Sequence, residues 1–330
     1  MTQQNKQTKR TICVLGGGGF VGHHLVALLA KRGYRVIVPT RRRESIKHLA
    51  VLPSVEVIQA NIHDTVTLKE LLHGVDAVIN LVGLLHETAA GQMDTQRVER
   101  GTFLYAHVEL PKKILRACFA ADVPRLIHMS ALGADPVSRS AYQRSKAAGE
   151  EAVLENQKHL QVTVFRPSVI FGPGDSFLSL FAQLLRISPV IPLAGGHARF
   201  QPVFVGDVAR AMADALERPE TVGQAYNLCG PKIYTLAELI RLTARELGLR
   251  RWIIPMRQSA SYWFARLMEL KPGRKLMTRD NHFAMLTDNV CAQDHHAHFG
   301  TPTALESVIG YLREQDPRRA YGHHRTQARR

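Results

Sequence analysis

The chain has 330 residues, 45% of them apolar and 22% charged, a composition that fits a soluble globular protein and excludes a collagen-like, low-complexity or disordered chain. Its 43 Lys and Arg outnumber 28 Asp and Glu, for a formal charge of +15, which favours anionic partners: nucleotides, nucleic acid or acidic lipid. Four cysteines, Cys13, Cys118, Cys229 and Cys291, are too few and too scattered for a disulfide framework, include no CxxC zinc pair and fit a reducing compartment. The polar N-terminus lacks a signal-peptide core, and no apolar run approaches the ~20 residues that span a bilayer. The expected location is the cytoplasm, with peripheral attachment at the inner membrane as the alternative.

In chain order, Thr11–Leu15 is a short apolar run that reads as a strand. Val21–Lys31 has apolar residues at helical spacing and stops at Gly33. Tyr34–Val38 is the second strand, ended by Pro39, and Val55–Gln59 the third. Leu68–Leu72 belongs to a short helix and Val75–Leu81 is the fourth strand. A long helix before Pro124 leads to a strand at Arg125–Met129, then a helix at Tyr142–Glu155 and a strand at Val162–Phe165. Repeated βα units of this length imply an α/β fold with a doubly wound parallel sheet and right-handed crossovers. After Arg166-Pro167 the rhythm changes. Gly172–Asp175 is a loop, Asp207–Leu216 a helix and Ala225–Leu228 a strand. Thr235 to Leu247 is a helix opened by a Thr235/Glu238 capping box. From Arg250 onward helical pieces alternate with basic loops.

Gly16-Gly17-Gly18-Gly19-Phe20-Val21-Gly22 follows the first strand and opens the first helix. It reads as GxxGxxG through Gly16, Gly19 and Gly22, or as GxGxxG through Gly17, Gly19 and Gly22. Glycine there permits a tight turn, close approach to a pyrophosphate and close helix–strand packing. The helix N-terminus adds N–H groups and a positive dipole end. At the first βα junction of such a chain, the pattern points to a dinucleotide. The second strand ends Pro39-Thr40-Arg41-Arg42-Arg43, with no acid for a ribose 2′-OH before Glu44. A guanidinium pairs with phosphate, so Arg41 favours NADP(H), with NAD(H) the alternative; Arg42 and Arg43 read equally as a solvated basic loop. Tyr142 and Lys146 have YxxxK spacing, which puts both on one helix face. A nearby ammonium lowers a phenol's pKa and suits it to proton transfer at neutral pH.

These motifs, with Asn80-Leu81-Val82-Gly83, the run from Arg166 to Gly174 and the run from Pro202 to Ala209, resemble the short-chain dehydrogenase/reductase superfamily over roughly residues 11–230. The likeness is to its extended and atypical members, related to NAD-dependent epimerases and dehydratases. Val38–Arg41, Glu87-Thr88 behind Gly83, Leu126–Ala131 and Ala147–Glu150 are similar to the nucleotide-binding accessory subunits of respiratory complex I and their bacterial relatives. The resemblance implies a Rossmann domain over 11–170, to which 200–230 return, and a small C-terminal α/β substrate or partner domain over 171–314. A disordered tail over 1–10 and a basic tail over 315–330 complete the expected layout.

Residue by residue, the resemblance places Gly16, Gly19, Phe20, Val21 and Gly22 at the pyrophosphate, Thr40 and Arg41 at the adenosine end and Asn61 at the adenine. Leu81, Val82 and Gly83 would border the ribose and nicotinamide, and Pro167 to Ile170 the nicotinamide amide. Tyr142 would be the acid/base, Lys146 would position the ribose, and Ser130 would be the hydroxyl beside them. The chain departs from the pattern twice: Asn61 stands where the superfamily often has Asp, and Ala131 where extended members tend to carry the working hydroxyl. Two readings follow. One is an NADP(H)-binding dehydrogenase/reductase that moves hydride between nicotinamide and a carbonyl or alcohol of unknown identity. The other is a non-catalytic nucleotide-binding assembly subunit of a respiratory or quinone-related membrane complex.

The charge is uneven. Arg241–Arg279 carries ten Lys and Arg against two acids, outside the shared motifs. There Trp252, Tyr262, Trp263 and Phe264 alternate with Arg257, Arg266 and Lys271, as on a surface for anionic membrane or a partner, or on a core-packed helix with a solvated face. No metal site is expected from Asp294–His298 or His323-His324, and no nucleic-acid module is visible.

Overall fold

The computed structural model describes residues 9–87, 101–257, 278–292 and 298–314, together with Ala260, Tyr262, Trp263 and Arg266. The expectations for 1–8, Thr88, Phe264, Lys271, 294–297, His323, His324 and 315–330 lie outside the described residues. Two compact units divide the chain: Met1–Arg166 with Val208–Tyr226, and Pro167–Asp207 with Asn227–Arg330.

In the first unit, β1 (Thr11–Leu15), β2 (Arg35–Thr40), β3 (Val55–Gln59), β4 (Ala77–Asn80), β5 (Arg125–Met129) and β6 (Gln161–Pro167) form one sheet in the order β3-β2-β1-β4-β5-β6. Every pair among them is parallel. Helices α1 (Phe20–Lys31), α2 (Thr65–Leu72), α3 (Leu110–Ala120) and α4 (Ala141–Leu154) cross between them. The strands are apolar along their length because both faces are covered; Leu15, Val78, Leu126, Val162 and Val164 share a core with Leu68, Leu72 and Ile114 of the helices. The strand order reverses between β1 and β4, which opens a crevice at their carboxyl ends.

Two local details differ from the sequence reading. β2 runs through Pro39 instead of stopping there. Arg35 N donates toward β1, to Arg10 O, and Val36 N toward β3, to Ser54 O; the missing N–H of Pro39 therefore falls on the β1 side, where pairing has ended at Ile37. The long helix before Pro124 begins as a π-helical turn, Tyr105–Glu109, before α3.

The second unit is built on small sheets. It contains α5 (Leu178–Ile187), α7 (Leu236–Glu246), and the strands β7 (Ile170–Phe171), β8 (Val190–Leu193), β9 (Arg199–Phe200) and β10 (Val203–Phe204). α6 (Val205–Ala215) and β11 (Gln224–Leu228) span the division, and β11 pairs with β6 at the edge of the main sheet. β12 (Tyr234–Thr235) pairs with β9, β10 with β7, and β13 (Trp252–Pro255) with β8. Phe171, Leu178, Leu185, Leu193, Leu239, Ile240 and Leu312 form its core. The capping box is present: Thr235 Oγ1 accepts from Glu238 N (3.2 Å) while Glu238 Oε2 accepts from Thr235 N (2.7 Å). β13 corrects the expectation of helical pieces and loops after Arg250.

Cys229 and Cys291 form a disulfide with Cα atoms 6.3 Å apart, while Cys13 and Cys118 are free and buried. This corrects the picture of unpaired cysteines. The pair is 62 residues apart in sequence and meets because Gln201 binds Gly230 O through Nε2 and Cys291 N through Oε1. Among the described residues no helix is long and apolar enough to cross a membrane.

Candidate functional site

The glycine turn closes tightly. Gly17 N donates to Val14 O (3.2 Å), Gly19 N to Gly16 O (2.9 Å), and Gly16 adopts φ +82°. A Cβ on Gly22 would lie 2.5 Å from both Gly16 O and Gly17 O, and one on Gly16 would lie 3.1 Å from Leu81 C and Val82 N. Backbone thus fills the space that side chains would take, and the turn meets the loop after β4. Gly19 is the N-cap of α1; no side chain caps it, and the first turn holds no acid. The positive end of the helix is left for an anion. This cradle fits the pyrophosphate of a dinucleotide. Phe20 and Val21 open the helix, Phe20 half-buried and Val21 buried.

At the end of β2, Thr40 Oγ1 pairs with the backbone of Arg42 at 3.3 Å, and Arg41, Arg42 and Arg43 are exposed. Asn61 is exposed after β3, with its Oδ1 accepting from His63 N.

The loop after β4 is held from three directions. Leu81 N donates to Leu15 O (2.9 Å) and Val82 N to Asn80 Oδ1 (3.1 Å). Asn80 Nδ2 donates to His128 Nδ1 (3.1 Å), so His128 carries its proton on Nε2. Beyond the exposed Gly83, Leu84 N donates to His107 Nε2 (2.9 Å). That bond fixes the tautomer: Nδ1–H of His107 donates to Ser145 Oγ (2.9 Å), and Ser145 Oγ in turn donates to Tyr142 O (2.7 Å). Burial, and then the Lys146 cation, push the His107 pKa down to about 3. Burial also holds His128 well below the ordinary histidine range, with Lys146 and His107 adding to it.

α4 starts at Ser140, whose Oγ accepts from Gln143 N. It carries Tyr142 half-buried, edge-on to the rings of Phe103 and His107 at 5.7 and 5.4 Å. Lys146, one turn on, is 4% exposed, and its Nζ donates to Met129 O (2.7 Å). Its other two donors have no partner among the described residues. Burial pushes its pKa down to about 8, opposed by Glu150. Ser130, at the end of β5, is buried, and its Oγ has no hydrogen-bond partner among the described residues. Its N donates to Phe165 O (2.7 Å).

The first unit therefore gathers the glycine turn with the Leu81–Gly83 loop, and Ser130 with Lys146 around the end of β5. Pro167 and Ile170 belong to the second unit, where Asn289 Oδ1 accepts from Ser168 Oγ and Val169 N. Sequence reasoning did not single out His107 or His128. Their only trace was a polar residue on an otherwise apolar run, lost among sixteen histidines.

Comparison with known proteins agrees with this geometry. Residues 12–229 match the NAD-dependent epimerase/dehydratase family. The chain is 31% identical over 244 residues to the mitochondrial NADH-ubiquinone oxidoreductase 40 kDa subunit of Neurospora crassa, across 73% of this chain and 61% of that protein. It thus spans about three fifths of that relative's length. It is 31% identical over 273 residues to the mitochondrial NADH dehydrogenase [ubiquinone] 1 alpha subcomplex subunit 9 of Mus musculus, across 81% of this chain and 69% of that protein. The fold matches MoeE5, solved in complex with UDP-glucose and NAD, at a TM-score of 0.69 and 20% identity, covering 94% of this chain and 99% of that one. With glycine turn, sheet order and family match in agreement, the chain belongs to the NAD-dependent epimerase/dehydratase family.

Proposed function

We propose that the first unit holds a nicotinamide dinucleotide and that the chain serves as a nucleotide-binding accessory subunit of a respiratory, complex I-like assembly. The backbone cradle of Gly16 and Gly22 under an uncapped helix N-terminus carries the nucleotide part. Similarity to mitochondrial complex I subunits supports the assembly part. Gly16 to Gly22 would hold the pyrophosphate, Leu81 to Gly83 the nicotinamide ribose, and the exposed Arg41 a 2′-phosphate. The cofactor of choice is then NADP(H). Calorimetry on the purified full chain tests this. NADPH should bind more tightly than NADH; equal affinities would remove Arg41 from the account, and no binding by either would end it. In native electrophoresis of mild detergent extracts the chain should migrate with a respiratory complex. Migration only as a free monomer at low salt would refute the assembly role.

A second reading, an active reductase, is favoured by one observation: the two unpartnered donors of Lys146 lie at a strand end that also holds the unpartnered Ser130 hydroxyl. Bound nicotinamide would supply or accept a hydride. Lys146 would donate to the ribose hydroxyls, Tyr142 would hold or release a proton at Oη, and Ser130 Oγ–H would donate to a carbonyl oxygen. Tyr142→Phe should abolish any turnover and leave nucleotide affinity within about twofold, the loss of a single hydroxyl outside the pyrophosphate cradle. Unchanged turnover would exclude Tyr142.

A further inference from the structure

One short sheet of the second unit turns an entirely apolar face to solvent. β8 and β13 run parallel, with Trp252 opposite Val190 and Ile254 opposite Pro192. Strand side chains alternate, so these four share a face, while Ile191, Leu193 and Ile253 pack into the hydrophobic core. Trp252 is 76% exposed, Ile254 50%, and Ile187, just before β8, 83%. The outer face of such a sheet is ordinarily polar, and a contiguous apolar patch marks a contact surface.

The same unit has a cavity of about 380 Å³ at the start of β13, lined by Arg241, Arg245, Arg250, Arg251 and four uncharged residues, Ile253 among them. Arg251 donates to Leu185 O and Arg250 O. The guanidinium groups of Arg245 and Arg250 have no hydrogen-bond or ion-pair partner among the described residues. Arg241 lies in the field of Glu238, whose carboxylate is already bonded to Thr235. One arginine at the end of α7 answers the helix dipole; the two guanidinium groups left without a protein partner, Arg245 and Arg250, have no acid in the lining and are free to meet an external anion. Arg250 and Arg251 directly precede Trp252, so the basic residues lead along the chain into the apolar strand.

We propose that this surface docks on a bilayer rich in anionic phospholipid, with Trp252, Ile254, Val190 and Ile187 entering the headgroup–acyl boundary and the arginines meeting lipid phosphates. Charge complementarity selects an anionic surface, and the few apolar side chains of the patch among the described residues favour lipid over protein. A stable protein interface covers roughly 800 Å² on each side with some 20 residues, whereas a few apolar side chains rimmed by basic residues are the pattern of interfacial insertion. The proposal does not rest on the accessory-subunit role: a chain that binds vesicles and joins no complex would satisfy it.

The test uses the full chain with vesicles of phosphatidylcholine alone and of phosphatidylcholine mixed with phosphatidylglycerol. Co-sedimentation should occur with the anionic vesicles only. It should weaken about fivefold for each of Arg245→Gln and Arg250→Gln, and more than tenfold in the double variant Trp252→Ser/Ile254→Ser. The protein has two tryptophans, so in a Trp263→Phe background the emission of Trp252 should shift to the blue on anionic vesicles. Equal binding to neutral vesicles, binding indifferent to these substitutions, or an unshifted Trp252 would overturn the proposal. Arginine-dependent binding of inorganic phosphate without vesicle binding would reduce the cavity to a soluble-anion site. Failure with both vesicle types but sedimentation with protein-bearing membranes would make the face a protein interface. Either result would refute docking on lipid.

Discussion

Protonating His107 would turn the acceptor that holds Leu84 N–H into a second donor, and the loop after β4 would lose its anchor. Its pKa is about 3 in the fold, against 6.5 for a free imidazole. The unfolded chain therefore binds the proton first as pH falls. The stability this residue contributes is complete above about pH 6.5 and is lost as pH drops toward 3. At about pH 4 the loss is on the order of 3 kcal/mol from this site alone, and His128 shifts in the same direction. His107→Asn keeps an acceptor and a donor but does not titrate. Urea unfolding between about pH 7 and about pH 4 should show a shallower decline in the variant; parallel declines would mean that His107 is not the titrating group. Tyr142, Lys146 and the glycines were legible in the sequence because their logic is local: one helical turn, one tight bend. Ser130 was legible only by its place after the fifth strand, not by its burial, and His107 was not legible at all, because what defines both is burial against residues distant in the chain.

The π-helical turn Tyr105–Glu109 is the element that makes His107 work. It brings the His107 backbone against α4 so closely that a Cβ on Gly149 would lie 1.8 Å from His107 O. Gly149→Ala must push the two helices apart, and overpacking of this kind costs roughly 1–3 kcal/mol. The melting midpoint should fall by several degrees, and Leu84 N–H should become less protected from hydrogen exchange. An unchanged midpoint would mean that the two backbones have room to part. Sequence periodicity found both helices, but a π turn inserts one residue without altering composition, so it left no signal. Pro39 misled for the opposite reason: it reads as a strand breaker, yet sits where β2 has no partner on its N–H side. β13 was missed because four apolar residues are too few to show a period, and its strand character comes from pairing with β8.

At the scale of the molecule, the parallel sheet and the glycine turn were readable because βα repeats and glycines are written in consecutive residues, whereas the strand order came only with the structure. The second unit was not, since its sheets join segments far apart in sequence, such as β8 with β13 and β9 with β12. The positive charge divides accordingly: one block flanks the end of β2, while Arg241–Arg251 surrounds a cavity in the other unit.

The disulfide also has a consequence for how this unit comes apart. Cys229–Cys291 makes the stretch between them, with α7 and β13, a covalent ring in the oxidised protein. A single protease nick inside the ring opens it without severing the chain. Under non-reducing electrophoresis the nicked protein should run as one intact band, and after reduction as two fragments. Two fragments without reductant would show that the ring was never closed. Sequence inside it can therefore be lengthened or cut while its two ends stay fastened together.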